Sequence, residues 1–191
     1  MGSSIGRKVV LVAFGALAFG VAMSVLKGND GGAVRNAIGN LSAPWLLLPF
    51  LAGAYAAGGR VGVAALLGAL VSLLALAGFY GANSFVLHLG PHPWLDDLRL
   101  SFGGFGYFFP FALVSGPLFG ALGGWWRQTR SRVVAVLVAA MFVLEPFAVT
   151  AYDGSLYTSD GPVWAGEVLV GFVGCTLAGW RTRRVRPPGR S

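Results

Sequence analysis

Two carboxylic acids stand inside long apolar runs of this chain: Glu145 in MFVLEPFAVT and Glu167 in GPVWAGEVLVGF. The other acidic residues lie in polar stretches. A carboxylate within an apolar segment is costly to bury, and one retained there is a functional candidate. A pair of them has a narrow chemistry. They share a proton, bind a cation, or face a basic group such as Arg99 or a substrate amine. Pro146 follows Glu145, and a proline removes a backbone donor and loosens the helix around it. At ~1.5 Å rise per residue, Glu145 falls roughly 10 Å short of Tyr152 and Glu167 roughly 6 Å beyond Val163. Both then occupy the same half of the apolar layer, on segments joined by a short polar loop. Glu167 also fits a plainer role, as an early acid that complements a helix dipole.

His88, His92 and Asp96 recur every fourth residue, a spacing that would align ligands on a helix. Gly90, Pro91 and Pro93 interrupt that helix. A metal site would also need a fourth ligand and supporting hydrogen bonds. No metal and no cofactor are expected. His88, Asp96, Asp97 and Arg99 count instead as polar groups of a connecting segment, available to line a solute site beside the two glutamates. Asp96 and Asp97 also suit the start of a short helix. The chain has no H-E-x-x-H, no G-x-S-x-G and no phosphate-binding loop. Both histidines lie in one loop, so a buried serine or cysteine nucleophile has no base. An enzyme is not expected.

The elements that must position these groups are apolar helices. Of the 191 residues, 55% are hydrophobic and only 11% charged, against about 25% charged in average globular chains. Mean hydropathy is +0.71. A fold of this size cannot hide so much apolar surface from water, so the bilayer is its solvent. The expected fold is all-α: one domain of six transmembrane helices at about 9–26, 43–59, 61–80, 109–126, 133–151 and 163–180, then a basic tail at 181–191. Val9–Leu26 is too long for a signal-peptide core of about 7–15 residues, so it is a retained helix. The segment 81–108 is the longest connection, either interfacial or re-entrant.

The net charge of +7 reads as membrane orientation, and no nucleic-acid partner is expected. With six spans, Arg7, Lys8, Arg60, Arg127, Arg130, Arg132 and the tail arginines share one side; Lys27, Arg35 and Arg99 share the other. Positive residues prefer the cytoplasm. The expected location is the plasma (inner) membrane, multi-pass, with both termini cytoplasmic. Trp125, Trp126 and Trp180 at inner ends, and Trp45 and Trp164 at outer ends, fit the preference of Trp for headgroups.

Small residues recur every fourth position: Ala64, Gly68 and Ser72 on the third span, Gly116, Gly120 and Gly124 on the fourth. In lipid such faces let helix backbones approach closely. They are expected to pack helices within the chain, with a membrane-protein partner or homo-oligomer left open. Arg60 to Tyr80 and Arg132 to Tyr152 are both intervals of 20 residues. Arg also follows seven residues after Gly at three helix ends, Gly53 to Arg60, Gly120 to Arg127 and Gly174 to Arg181, and together these spacings suggest three successive helical hairpins.

The run Asn40-LSAPWLLLPFLAGA-Tyr55, with GPLFGALGGWW at Gly116–Trp126, resembles an uncharacterised family of small six-helix membrane proteins from high-GC Gram-positive bacteria. The resemblance implies a fold and no activity. Ala18 and Ala22 carry a weaker resemblance to substrate-binding subunits of energy-coupling-factor importers, where an Ala-x-x-x-Ala helix docks a partner. The function expected is small-solute or ion binding or transport, with an outer-half polar cavity. The alternative is a non-catalytic adaptor that docks partners through its Gly/Ala faces.

Overall fold

The computed structural model describes residues 2–28, 32–86, 93–104, 108–153 and 161–180. Every regular element among them is helical: α1 (Gly2–Lys27), α2 (Ala33–Asn40), α3 (Ser42–Ala56), α4 (Val61–Val86), α5 (Trp94–Gly104), α6 (Phe108–Thr129), α7 (Arg132–Asp153) and α8 (Gly161–Trp180). Among the described residues, four stretches are long and apolar enough to cross a membrane: Gly6–Lys27, Ala37–Ala56, Val61–Phe85 and Phe108–Thr129. Gly161–Leu177 is apolar but shorter. Phe14, Leu66 and Val114 each leave at least 70% of their surface open. These are the helices and the surface of a membrane protein.

The chain falls into two compact units, Met1–Thr129 and Arg130–Ser191, where the sequence predicts one domain. The first holds α1–α6, and the second is the α7–α8 hairpin. In the first unit α4 is central and packs on α1, α3, α5 and α6. Missing side chains make this possible. A Cβ on Gly68 would overlap the Gly116 carbonyl, and one on Gly120 would overlap the Ala64 carbonyl. Gly124 sits on the Ala64 methyl, and Gly116 on the backbone of Gly68 and Ala69 and the Ser72 hydroxyl. Gly53 and Gly123 join α3 to α6 in the same way, against Gly120 and Phe50. Gly20 on Ala75 and Gly78 on Leu17 join α1 to α4. In lipid, this close approach gains the van der Waals contact that holds helices together.

Three sequence expectations are corrected here. First, α1 spreads its contact over α4 and touches α3 only narrowly. In the first of the three expected hairpins α1 does touch α3, at Phe19–Trp45 and around Ala16 and Ala52, but its main face, at Ala16 and Gly20, matches α4. Second, α4 runs on to Val86, past the expected end at Tyr80. No proline stops it there, and the Ser84 hydroxyl donates to the Gly81 carbonyl at 2.7 Å. Third, α2 and α5 are helical where connections were expected. Arg35 on α2 donates to the carbonyls of Val25 (2.9 Å) and Leu26 (3.0 Å). A guanidinium at a helix C-terminus satisfies orphan carbonyls and complements the dipole. Gly28, at φ +59°, ends α1 in the left-handed conformation that glycine adopts without penalty.

Helices α3 and α4 are joined by a tight turn through Gly58 (φ +60°) and Gly59 (φ +87°). Arg127 donates to the Ala54 carbonyl at 3.2 Å, and the Gln128 side-chain amide donates to the Gly59 carbonyl. The last turn of α6 thus closes the C-terminus of α3. At the opposite end, Trp45 stands edge-on between Phe19 and Phe79, with centroids 5.2 and 5.5 Å away. Tyr80 continues the contacts to Phe102 of α5 and Phe109 of α6.

Replacing Gly120 by Leu drives a side chain into the backbone of α4, which has nowhere to move. We expect a loss of about 3 kcal/mol or more in SDS-titration unfolding of the detergent-solubilised protein. Gly15, with nothing within 4 Å of a built Cβ, is the control: Gly15→Leu should change stability by less than about 0.5 kcal/mol.

Candidate functional site

The second unit brings together the two acids that stand in apolar runs. Gly171 of α8 lies against the Ala139 carbonyl, Phe142 and Val143 of α7, and Gly174 lies against Ala139. The missing side chains let the two helices approach. One turn before Gly171 on the same face, Glu167 then meets Glu145, and the two carboxyls lie within hydrogen-bonding reach. Glu167 is only 5% exposed, and Glu145 is half-buried. No donor meets either oxygen of the Glu167 carboxyl among the described residues. A carboxylate only accepts hydrogen bonds. Two facing carboxylates therefore satisfy each other only when something positive sits between them.

Pro146 is buried inside α7. Its missing N–H deprives the Phe142 carbonyl of the usual helical partner. The Thr150 hydroxyl donates back to the Pro146 carbonyl at 2.7 Å. A groove of about 510 Å³ opens beside this region, lined by Pro146, Phe147, Thr150, Ala151, Trp164 and Val168 among others. Its walls are almost wholly apolar, and neither carboxyl lines it. The sequence points to a polar cavity; the described residues of this unit form a carboxyl contact inside the hairpin and an apolar groove beside it.

The remaining sequence candidates lie in the first unit. Asp96 and Arg99 pair with each other at 3.5 Å on the exposed side of α5, a contact worth little in water. Asp97, half-buried on the same helix, has a partner of its own. His88 lies outside the described residues, as does His92. Among the described residues no three His, Cys, Asp or Glu side chains gather. The six small residues Ala64, Gly68, Ser72, Gly116, Gly120 and Gly124 are all buried between α4 and α6 or against α3.

Some contacts had no sequence signal strong enough to find them. Lys27 lies over the Phe79 ring at 5.9 Å, and Lys8 over the Tyr55 ring at 5.3 Å. Of the aromatic chain from Phe19 to Phe109, the sequence singled out only Trp45, in the run Asn40–Tyr55, and Tyr80. Ala43 of that start is 1% exposed.

A family model matches residues 2–188 and is described as a family of unknown function. No curated protein and no solved structure matches the chain.

A buried carboxyl without a donor does not stabilise a fold. Glu167→Leu is therefore expected to be neutral or to stabilise the protein by up to about 2 kcal/mol. The measurement is the same SDS-titration unfolding. A clear destabilisation would mean that the carboxyl is a structural partner instead.

Proposed function

Because the chain belongs to the family of unknown function DUF6518, we propose a function from its own residues: a multi-pass membrane protein that binds, and passes on, a small solute or ion at the Glu145–Glu167 contact. The observation that supports this is the buried Glu167 carboxyl, held against a second carboxyl with no donor from the described residues. Groups at membrane depth that cost stability are kept for ion and proton pathways. Pro146 supports it as well, since it leaves the Phe142 carbonyl, three residues before Glu145 on α7, without its usual helical partner.

In this proposal α1, α3, α4, α6, α7 and α8 span the membrane, and both termini face the cytoplasm. Lys8, Arg60 and Arg127 fall at one end of the first unit, as the positive-inside rule requires of a cytoplasmic end. Helix α5, at 11 residues, is about 16 Å long, too short to span. Trp94, Leu95 and Leu100 on it are exposed, as suits a helix lying in the interface. The rival role, an adaptor docking through Gly116, Gly120 and Gly124, finds those residues already used between α4 and its neighbours.

Native mass spectrometry of the protein, extracted from its own membrane in mild detergent, tests the proposal. The wild type should retain a small added mass that Glu145→Gln and Glu167→Gln both lose. Equal bare masses in all three would overturn it.

A further inference from the structure

Resting on the membrane reading but not on the two glutamates, we propose that the α3–α4 turn of the first unit, residues 54–60, binds the headgroup of an anionic phospholipid. Three cations from three parts of the chain meet at this turn. Lys8 of α1 sets its ammonium over the Tyr55 ring at 5.3 Å. Arg127 of α6 reaches the carbonyl of the preceding residue, Ala54, at 3.2 Å. Arg60 belongs to the turn itself and is exposed. Packing holds these parts in register. Val9, next to Lys8, packs on the cluster of Ala56, Ala57 and Ala64. Gly124, one turn before Arg127, lies against the Val61 backbone and the Ala64 methyl.

The described acids of the first unit, Asp96 and Asp97, stand at its other end. They lie on α5, which Phe102 joins to Tyr80, and Tyr80 is roughly 30 Å along α4 from Arg60. The first unit has one more acid, Asp30, which follows Lys27 in the chain. Lys27 is roughly 28 Å along α1 from Lys8. The start of α4 adds to the positive field. Its first turn holds no acid. Arg60 precedes that turn and gives its carbonyl to the Ala64 N–H at 2.9 Å, but an arginine side chain has no acceptor with which to cap the first N–H groups. Those groups and the helix dipole favour an anion.

The surroundings select a lipid as the source of that anion. The turn joins two apolar stretches long enough to cross a membrane, Ala37–Ala56 and Val61–Phe85, so it sits where a bilayer ends. Tyr55 and Trp125 are exposed beside it, and both residue types prefer the headgroup level. One turn into the spans, Leu11 follows Lys8 on α1 and Leu51 precedes Tyr55 on α3, and both are exposed. An apolar wall thus continues from the cations into the hydrocarbon layer. Acyl chains lie along that wall while the phosphate meets Lys8, Arg60 and Arg127, whose N–H groups recognise phosphate oxygens. A free anion would use only half of this arrangement.

The test uses the full-length protein in detergent, as wild type, Lys8→Gln, Arg60→Gln and the double variant. Arg99→Gln, at the other end of the unit, is the control for loss of one charge. A matching circular-dichroism spectrum certifies each variant as folded, and if one single variant fails that check the other carries the comparison. The probes are phosphatidylglycerol and phosphatidylcholine at equal concentration, counted on the protein by native mass spectrometry. The wild type should retain phosphatidylglycerol in preference. Each substitution should weaken its retention about five-fold, and the pair about 25-fold, while Arg99→Gln holds it as the wild type does. The basic tail is common to all variants and cancels in the comparison. Equal retention of phosphatidylglycerol by the double variant and the wild type overturns the proposal, as does equal retention of the two lipids by the wild type. Displacement of the lipid by excess inorganic phosphate overturns it in favour of a free anion. Glu145→Gln and Glu167→Gln leave these cations in place, so the lipid site and the solute site can each fail alone.

Discussion

Everything in the first unit depends on how closely two helix backbones approach where α4 crosses α6. Gly68, Gly116 and Gly120 bring carbonyl oxygens to where side chains would otherwise stand. A lipid tail is as apolar as leucine, so no hydrophobic gain drives helix to helix inside a bilayer. What is left is contact, and contact is greatest where nothing separates the backbones. Helix α3 reuses the same glycine from its other side, because Gly53 rests on the Gly120 carbonyl. One residue thus serves two interfaces. Helix α1 joins by the same means at Gly20 and Gly78, which explains why it prefers α4 to its neighbour in sequence.

Helix packing leaves the ends unsolved, since the last carbonyls of each helix lack partners. The chain meets this with basic and amide side chains from elsewhere. Arg35 closes α1, and Arg127 closes α3. Both sit at C-termini, where a cation also complements the dipole. The arginines that mark orientation in the sequence are therefore also structural. Arg127 ties the end of α6 to α3 and fixes where the α3–α4 turn can lie. The opposite end is closed by rings. Trp45, Phe79, Tyr80, Phe102 and Phe109 link α3, α4, α5 and α6, and α5 is held there by Phe102.

What the sequence could reveal follows from the range of each interaction. The four-residue spacing of Gly116, Gly120 and Gly124 is local, so their shared face was legible. The matching face of α4 was legible for the same reason, although the partnering of the two is a tertiary fact. Helices α2 and α5 were not legible as packed elements. Their segments are polar and glycine-rich, and contacts distant in sequence hold them, Arg35 to α1 and Phe102 to Tyr80. The division into two units was hidden too, because six apolar segments in a row carry no mark of which ones touch. Glu145 and Glu167 stood out by type and depth. Their contact depends on Gly171, whose effect appears only once α7 lies against it. The polar cavity expected around them rested on the types of the two acids and of the polar residues at 81–108, which do not say which face of a helix turns toward a void.

The second unit reverses the logic of the first. Its closest approach, at Gly171 and Gly174, has the same small-residue device, yet here it presses two acids together. An apolar pair at these positions would pack at least as well and would remove the repulsion between like charges. Pro146 adds a second cost, since it interrupts α7 one residue beyond Glu145. Neither feature is needed to hold α7 against α8, because the contacts at Ala139 and Val143 already do so. Two costs fall in one hairpin, a buried carboxyl on α8 and a proline inside α7. Local rules of stability are broken together where a chain has a use for the breakage. The Glu167 oxygens carry the clearest cost, since both are buried with no donor among the described residues.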